Sequence, residues 1–423
     1  MITKESKRLL EIFLSLSFLQ GFSRVLPLVT TPFLFLTLGQ ENFGKIELVK
    51  ALGFYCLVLI GFGFHYSVTK QIHMHQNDQK KINEIFSCVI FLKTVFVLIS
   101  FFMIMGVIYW IPTFYAIKTL FLSYFPVIIA SAFFPVWIFQ GFEKMRMITL
   151  INIVSKLLFL FGLFIFIRSH SDIFIYPIAL SVADILRTGF ALIYAKRKFN
   201  LSLQWPTLKQ LKFQIKDSMH IFASNVSIHL YSRFPQLFLG SFIGPSSVAI
   251  YAVGIRLVRS LTGFVEPLTQ SIFPTLSKKI FVSLEDGIQH TLRILKLSSL
   301  ITLILGALIF IFAKPIIFLM SGQVASESVS VLKIVSVLPC LIVISNIVGI
   351  QILINLNKRH EYVLVMFLSG LLCAAALYIL VPALGALGAA LALFLTEAFA
   401  ALLMSVLGIR AVRTDITQKK MAV

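Results

Sequence analysis

Residues 18–39 read FLQGFSRVLPLVTTPFLFLTLG, an almost wholly apolar run with a permanent cation, Arg24, set inside it. The apolar pattern extends back to Ile12. Arg24 therefore falls near the middle of a segment long enough to cross a bilayer, for which about 20 residues suffice. Working outward, the same pattern recurs over residues 12–37, 47–68, 85–110, 115–140, 147–167, 173–195, 219–242, 247–276, 294–313, 332–355, 361–381 and 384–409. The composition agrees: of 423 residues 58% are hydrophobic and 13% charged, and 42 are Phe. Soluble domains are roughly half apolar and about a quarter charged, so this chain has too little polar surface to cover itself in water. The reading is an all-α integral membrane protein with twelve spanning helices. The first run is too long, and lacks the small-residue cleavage site, for a removable signal.

Basic residues give the orientation, because loops rich in Lys and Arg stay on the cytoplasmic side. With the N-terminus in the cytoplasm, 24 of the 37 basic residues fall in cytoplasmic segments and four in the opposite loops. Both termini are then cytoplasmic. The net charge of +20 is mostly topological and requires no nucleic-acid partner. Nine basic residues remain inside or at the margins of the spans: Arg24, Lys50, Lys93, Lys156, Arg187, Arg233, Arg256, Arg259 and Lys333. Only Asp184, Glu266 and Glu397 are counted there as acids. A charge at membrane depth costs several kcal/mol unless it meets a partner or a wet cavity. Asp184 and Arg187, three apart on one helix, are placed to pair. The excess cations imply a central cationic cavity, with Arg24, Arg233, Arg256, Arg259, Lys50 and Lys156 as its candidate anion-binding groups. Arg256 and Arg259 share a helix face, with Glu266 two turns further on.

The chain reads as two halves: residues 1–198 form an N-terminal six-helix bundle and 219–423 a C-terminal one. The basic stretch 199–218 joins them. In it Lys209, Lys212 and Lys216 share one helical face, and Leu208, Leu211 and Ile215 a neighbouring one, which predicts a short helix on the cytoplasmic leaflet. A repeat supports the halves: LGQENFGKIELVKAL (38–52) aligns without gaps to IGPSSVAIYAVGIRL (243–257), matching Gly39 with Gly244 and Leu52 with Leu257. Pro27, Pro32, Pro126, Pro135 and Pro235 fall within spans and mark bending points. The four cysteines all lie in spans, with no CxxC and no disulfide framework. No metal-ligand cluster, phosphate-binding glycine loop or hydrolase motif occurs, so neither a cofactor nor enzymatic chemistry is expected.

The segment FFPVWIFQGFEKMRMITLINIVSKLLF (133–159) resembles the fourth-to-fifth-span region of Wzx-type O-antigen and polysaccharide flippases. Its core comprises Pro135, Trp137, Phe139, Gln140, Gly141, Glu143 and Lys144. LGQENFGK, SIFPTLSK and PALGALGAALALFLTEAFAALL extend the resemblance along nearly the whole chain. The family belongs to the multidrug/oligosaccharidyl-lipid/polysaccharide exporter (MOP) superfamily, and the resemblance implies a MATE-like fold of two six-helix bundles. It also implies the substrate, an oligosaccharide on undecaprenyl pyrophosphate, carried to the periplasmic leaflet of a bacterial inner membrane. Membrane lipids, an O-antigen polymerase and a chain-length regulator are the implied partners. Arginine suits this cargo, since its planar fork of donors binds phosphate oxygens in pairs, and Trp137, Tyr231 and Tyr251 offer faces for sugars.

The sequence departs from the family pattern at three places. GFGF (61–64) stands where Asp-Phe-Gly-Phe is usual, an acid common in span seven is missing near Pro235, and an Asn frequent in span eleven is missing around Cys373. Glu397 matches a recurrent family Glu. Glu266 and Glu397 are the candidate carriers of a coupling proton or sodium ion. A cation-coupled multidrug exporter of the same superfamily is the alternative reading, disfavoured by the excess of embedded bases over acids.

Overall fold

The computed structural model describes residues 4–229, 233–262 and 276–421, with side chains for most of 26–262 and for 276–415. The described residues are almost entirely helical, as a chain that must satisfy its own backbone hydrogen bonds in lipid requires. Eight helical stretches are long and apolar enough to cross a membrane. Two of these, Leu26–Met74 and Arg359–Asp415, are 49 and 57 residues long, about twice a bilayer crossing. Each is broken where a glycine leaves the helical region: Gly39 at φ 80° inside Lys4–Gly61, and Gly385 at φ 56° inside Arg359–Met421. The first break falls between the first two apolar runs of the sequence, and the second at the start of the last run. The runs at 219–242 and 247–276 lie partly outside the described residues.

The chain divides into two compact units. The first comprises Met1–Phe22 and Thr37–His229, the second Ser23–Leu36 and Leu230–Val423. In the first unit, helices Lys118–Phe133 and Met145–Phe166 both pack on Ile175–Lys198. Phe64, Ile82, Val89, Ile138, Phe139 and Ile148 are among the residues of its core. Helix starts are capped where the sequence allows: Asp78 accepts from the Lys81 backbone N–H at 3.0 Å. In the second unit, Pro245–Thr262 packs on Ser326–Val335, and Leu284–Ile311 on Leu338–Asn346. Leu284–Ile311 leaves Leu297, Leu300, Ile304 and Ile311 half or more exposed. On a helix long and apolar enough to cross a membrane, such a face suits lipid.

The family-like segment 133–144 is a built turn. Pro135 has no N–H to donate and ends helix Lys118–Phe133, and the short helix Val136–Gly141 follows. The Glu143 N–H donates to the Gln140 carbonyl at 3.0 Å and the Lys144 N–H to the Phe139 carbonyl at 2.8 Å, with Glu143 at φ 55°. The second unit repeats the turn at Asn357, φ 59°: its N–H reaches the Ile354 carbonyl at 3.1 Å, and the Lys358 N–H the Leu353 carbonyl at 2.8 Å. Gly39 and Gly244, paired by the internal repeat, both have positive φ, 80° and 120°.

The basic connection differs from the short surface helix that its pattern predicts. Residues 201–207 are non-helical, and Leu208–His229 is one continuous helix that carries the predicted linker straight into the next apolar run. The non-helical part is held by side chains of Gln79–Trp110. Gln79 donates to the carbonyls of Phe199 and Asn200, both at 3.0 Å, while Asn83 and Ser87 accept from the Ser202 and Gln204 N–H groups at 3.0 and 2.9 Å. Helix Leu208–His229 is then tied to Phe64–Met74 by Ser67–Ser218 at 2.6 Å and Gln71–Asp217 at 2.7 Å. The helix is longer than its pattern predicts because the apolar run that follows continues it, while Lys209, Lys212 and Lys216 stay exposed.

Candidate substrate-binding site

In the second unit two of the embedded arginines converge. Arg233 sits at the start of helix Phe234–Phe242, where Pro235 occupies the first turn, the one helical position that needs no N–H. Gln236, one turn on, is buried at 1% exposure. Its side-chain oxygen accepts from Arg233 Nη1 at 3.3 Å and from Arg259 Nη1 at 3.4 Å. Arg259 comes from helix Pro245–Thr262, so one neutral acceptor draws guanidinium groups from two helices together. Tyr251, fully buried two turns before Arg259, lies beside both arginines. Cys373, within electrostatic reach of Tyr251, connects this cluster to Thr396 and to Glu397, which is 8% exposed. Two guanidinium groups gathered on a buried amide are the kind of donor arrangement from which oxygens of a polyoxyanion accept in pairs.

The other basic residues are distributed differently. Arg256 shares the Pro245–Thr262 helix and is half-buried. Lys50 does not stand as a lone cavity cation: it pairs with Glu47 at 2.6 Å. Glu47, at the first position of an apolar run, was not among the acids counted from the sequence, yet it is 1% exposed. Lys156 is near Asp184, which pairs with Arg187 at 3.3 Å as their spacing requires. That pair is extended by Ser131, donating to Asp184 at 3.1 Å, and by Asn152, which accepts from Arg187 at 3.4 Å. Phe134 lies 4.4 Å from the Arg187 guanidinium as a cation–π partner. Lys93, 7% exposed, donates to the Ala132 carbonyl at 2.6 Å and so satisfies the helix end that Pro135 creates. The Arg24 side chain, Tyr231 and Glu266 lie outside the described residues. Trp137 and Tyr251 are buried at 3% and 0%, which makes them packing groups here and not open platforms for sugars.

Sequence reasoning found the arginines and missed what organises them. Gln236, Ser131 and Asn152 are neutral. Their signal was available as rare polar side chains inside apolar runs, but a census of charge passes over them.

A family model described as polysaccharide biosynthesis protein matches residues 9–281. The chain belongs to the polysaccharide biosynthesis protein family. A relative in Escherichia coli (strain K12), described as "Putative O-antigen transporter", is 30% identical over 389 residues, covering 92% of this chain and 94% of its own. A relative of the same description in Shigella dysenteriae is 25% identical over 409 residues, covering 94% and 98%. These matches and the 133–144 turn make this family member a Wzx-type protein. Among solved structures, the fold is similar to a lipid II flippase, MurJ, in an inward closed conformation, with TM-score 0.74 at 16% identity, covering 92% of this chain and 86% of that one. It is likewise similar to an inward-facing multidrug resistance MATE family transporter of the MOP superfamily, with TM-score 0.72 at 15% identity, covering 95% and 98%. The family member therefore has the MOP fold, and its relatives are transporters and not enzymes.

Proposed function

We propose that this protein is a flippase that moves an undecaprenyl-pyrophosphate-linked oligosaccharide from the cytoplasmic to the periplasmic leaflet by alternating access. Twelve spans in two six-helix bundles, with both termini in the cytoplasm of a Gram-negative-type cell, complete the reading. Near full-length relatedness to O-antigen transporters supports the cargo class. The observation that carries the mechanism is the meeting of Arg233 and Arg259 on Gln236. A pyrophosphate crossing a region hostile to charge needs donors that replace its hydration, and paired guanidinium groups supply them. Arg24 and Arg256 are assigned to the same anion at other stages of transport, while Lys50 and Lys156, held near carboxylates, contribute field and not direct contacts. The lipid tail stays in the bilayer, so only the head group and sugars need passage.

The test is a gene deletion in the native host. Lipid-linked glycan is expected to accumulate on the cytoplasmic leaflet, with surface glycan restored by the wild-type gene. Unchanged distribution of the lipid-linked glycan in the deletion strain would remove the proposal.

A further inference from the structure

A second basic site lies away from the arginine pair. Residues 276–282 are helical and lie against the start of Leu284–Ile311. The approach is close because Gly287 faces the Ile280 backbone, where a Cβ would lie 2.6 Å away. The fold leaves a cavity of about 810 Å³ lined by Lys278, Lys279, His290 and Arg293, with Asp286 as its acid. Lys279 Nζ lies 2.9 Å from His290 Nε2, and this contact holds the lysine head group at the cavity. Beside it Phe281 and Val282 are 88% and 77% exposed. From Arg293, positions one to three turns further along the same face of the helix are Leu297, Leu300 and Ile304, all at least half exposed. A cationic pocket thus opens at the head of an apolar stripe, with protruding apolar side chains at its rim.

We propose that this pocket binds the phosphodiester of an anionic membrane phospholipid, whose acyl chains lie along the exposed stripe. The charge fits a phosphate of any origin. The rim and stripe select one attached to a lipid, because Phe281 and Val282 are sheltered from water only when they enter the bilayer interface. On the lysine and arginine distribution this corner faces the cytoplasm, where such a lipid anchors the second unit. The inference does not depend on which substrate is transported.

The full-length chain, purified in detergent, is offered equal amounts of phosphatidylglycerol and phosphatidylcholine, and retained lipid is counted by native mass spectrometry. Wild-type protein is expected to keep phosphatidylglycerol selectively. Lys279→Gln with Arg293→Gln lowers that preference roughly thirtyfold, two basic contacts being removed, while Lys358→Gln with Arg359→Gln leaves it unchanged. If the charge variant fails to fold by size exclusion, Phe281→Ser with Val282→Ser decides. It keeps the charges and is expected to lose phosphatidylglycerol about tenfold. Full retention in the folded charge variant, or in the apolar one, overturns the proposal. So does equal loss in the Lys358/Arg359 control. Displacement of the lipid by an equal concentration of inorganic phosphate would reveal a phosphate-ion site instead. Stronger retention of a polyprenyl pyrophosphate than of phosphatidylglycerol would make the pocket a cargo-capture site. Either result defeats the lipid assignment.

Discussion

At the scale of single residues, the positions that matter here hold charge or direct it. Arg259→Ala and Arg233→Ala are each expected to lower transport about ten- to a hundredfold, the cost of one charge-assisted hydrogen bond. Arg259→Lys is expected to fail as well, because an ammonium cannot present two parallel donors to one phosphate. The measurement is surface glycan restored in a deletion strain at limiting expression, with membrane abundance of each variant determined in parallel. Normal restoration by well-expressed Arg259→Ala would return this arginine to a structural role. Glu397 is buried and forms no ion pair among the described residues. It is the described acid best placed to carry a coupling proton or sodium ion. Glu397→Gln should therefore abolish the dependence of transport on pH and membrane potential, and a variant that keeps both would exclude it. The embedded charges themselves were legible in the sequence, since a charge in an apolar run stands out by its cost. Their partners were not. Glu47 was hidden by lying at the first position of a run, and Gln236 by having no charge.

At the scale of elements, the family-like segment is a structural joint. Gly141 backs onto Ile72, where a Cβ would sit 2.5 Å from the side chain. Gly141→Ala is expected to destabilise the protein by about 1–3 kcal/mol, as overpacking does. Glu143→Gly should be neutral or stabilising, because it relieves a left-handed conformation that costs a side chain roughly 1 kcal/mol. What it gives up includes a half-exposed, 3.7 Å contact with His73 that contributes little. Thermal unfolding of the purified variants orders the two. A destabilised Glu143→Gly would show that the carboxylate, and not the backbone, is what the turn requires. Proline and glycine made this joint visible in the sequence, and Gly39 with Gly244 marked its relatives in the repeat. The connection 199–218 reads in the sequence as a short helix, and the structure runs its helical part on into the next apolar run. Its lysine and leucine faces are real, but the hydrogen bonds that bind it to Gln79, Asn83 and Ser87 link residues more than a hundred positions apart. No local pattern carries that information.

At the scale of the whole molecule, the distribution of basic residues predicts which side of the membrane each loop faces. The native cysteines are free, and three of the four are buried, so a cysteine-free background is accessible by small substitutions. A cysteine introduced at Ser246 is expected to react from outside with a membrane-impermeant thiol reagent, and one at Asn77 is not. The reverse pattern would invert the orientation and the direction of transport. All-helical architecture and membrane residence were legible from composition alone. The grouping of Ser23–Leu36 with the second unit was not, because sequence order says where a helix begins and not which neighbours claim its turns.

The glycines at 39 and 244 have a consequence for how the two segments can diverge. Both leave the helical region with positive φ, whereas the turn of Glu143 and Asn357 recurs at Asn200 and is a general way of ending a helix in this chain. Carried beyond the aligned stretch at the same offset, Arg233, Gln236 and Arg259 fall on Leu28, Thr31 and Phe54. The backbone break is shared while these side chains are not: the first segment carries its embedded cations, Arg24 and Lys50, at other positions. A common break thus leaves each segment free to set its own charge.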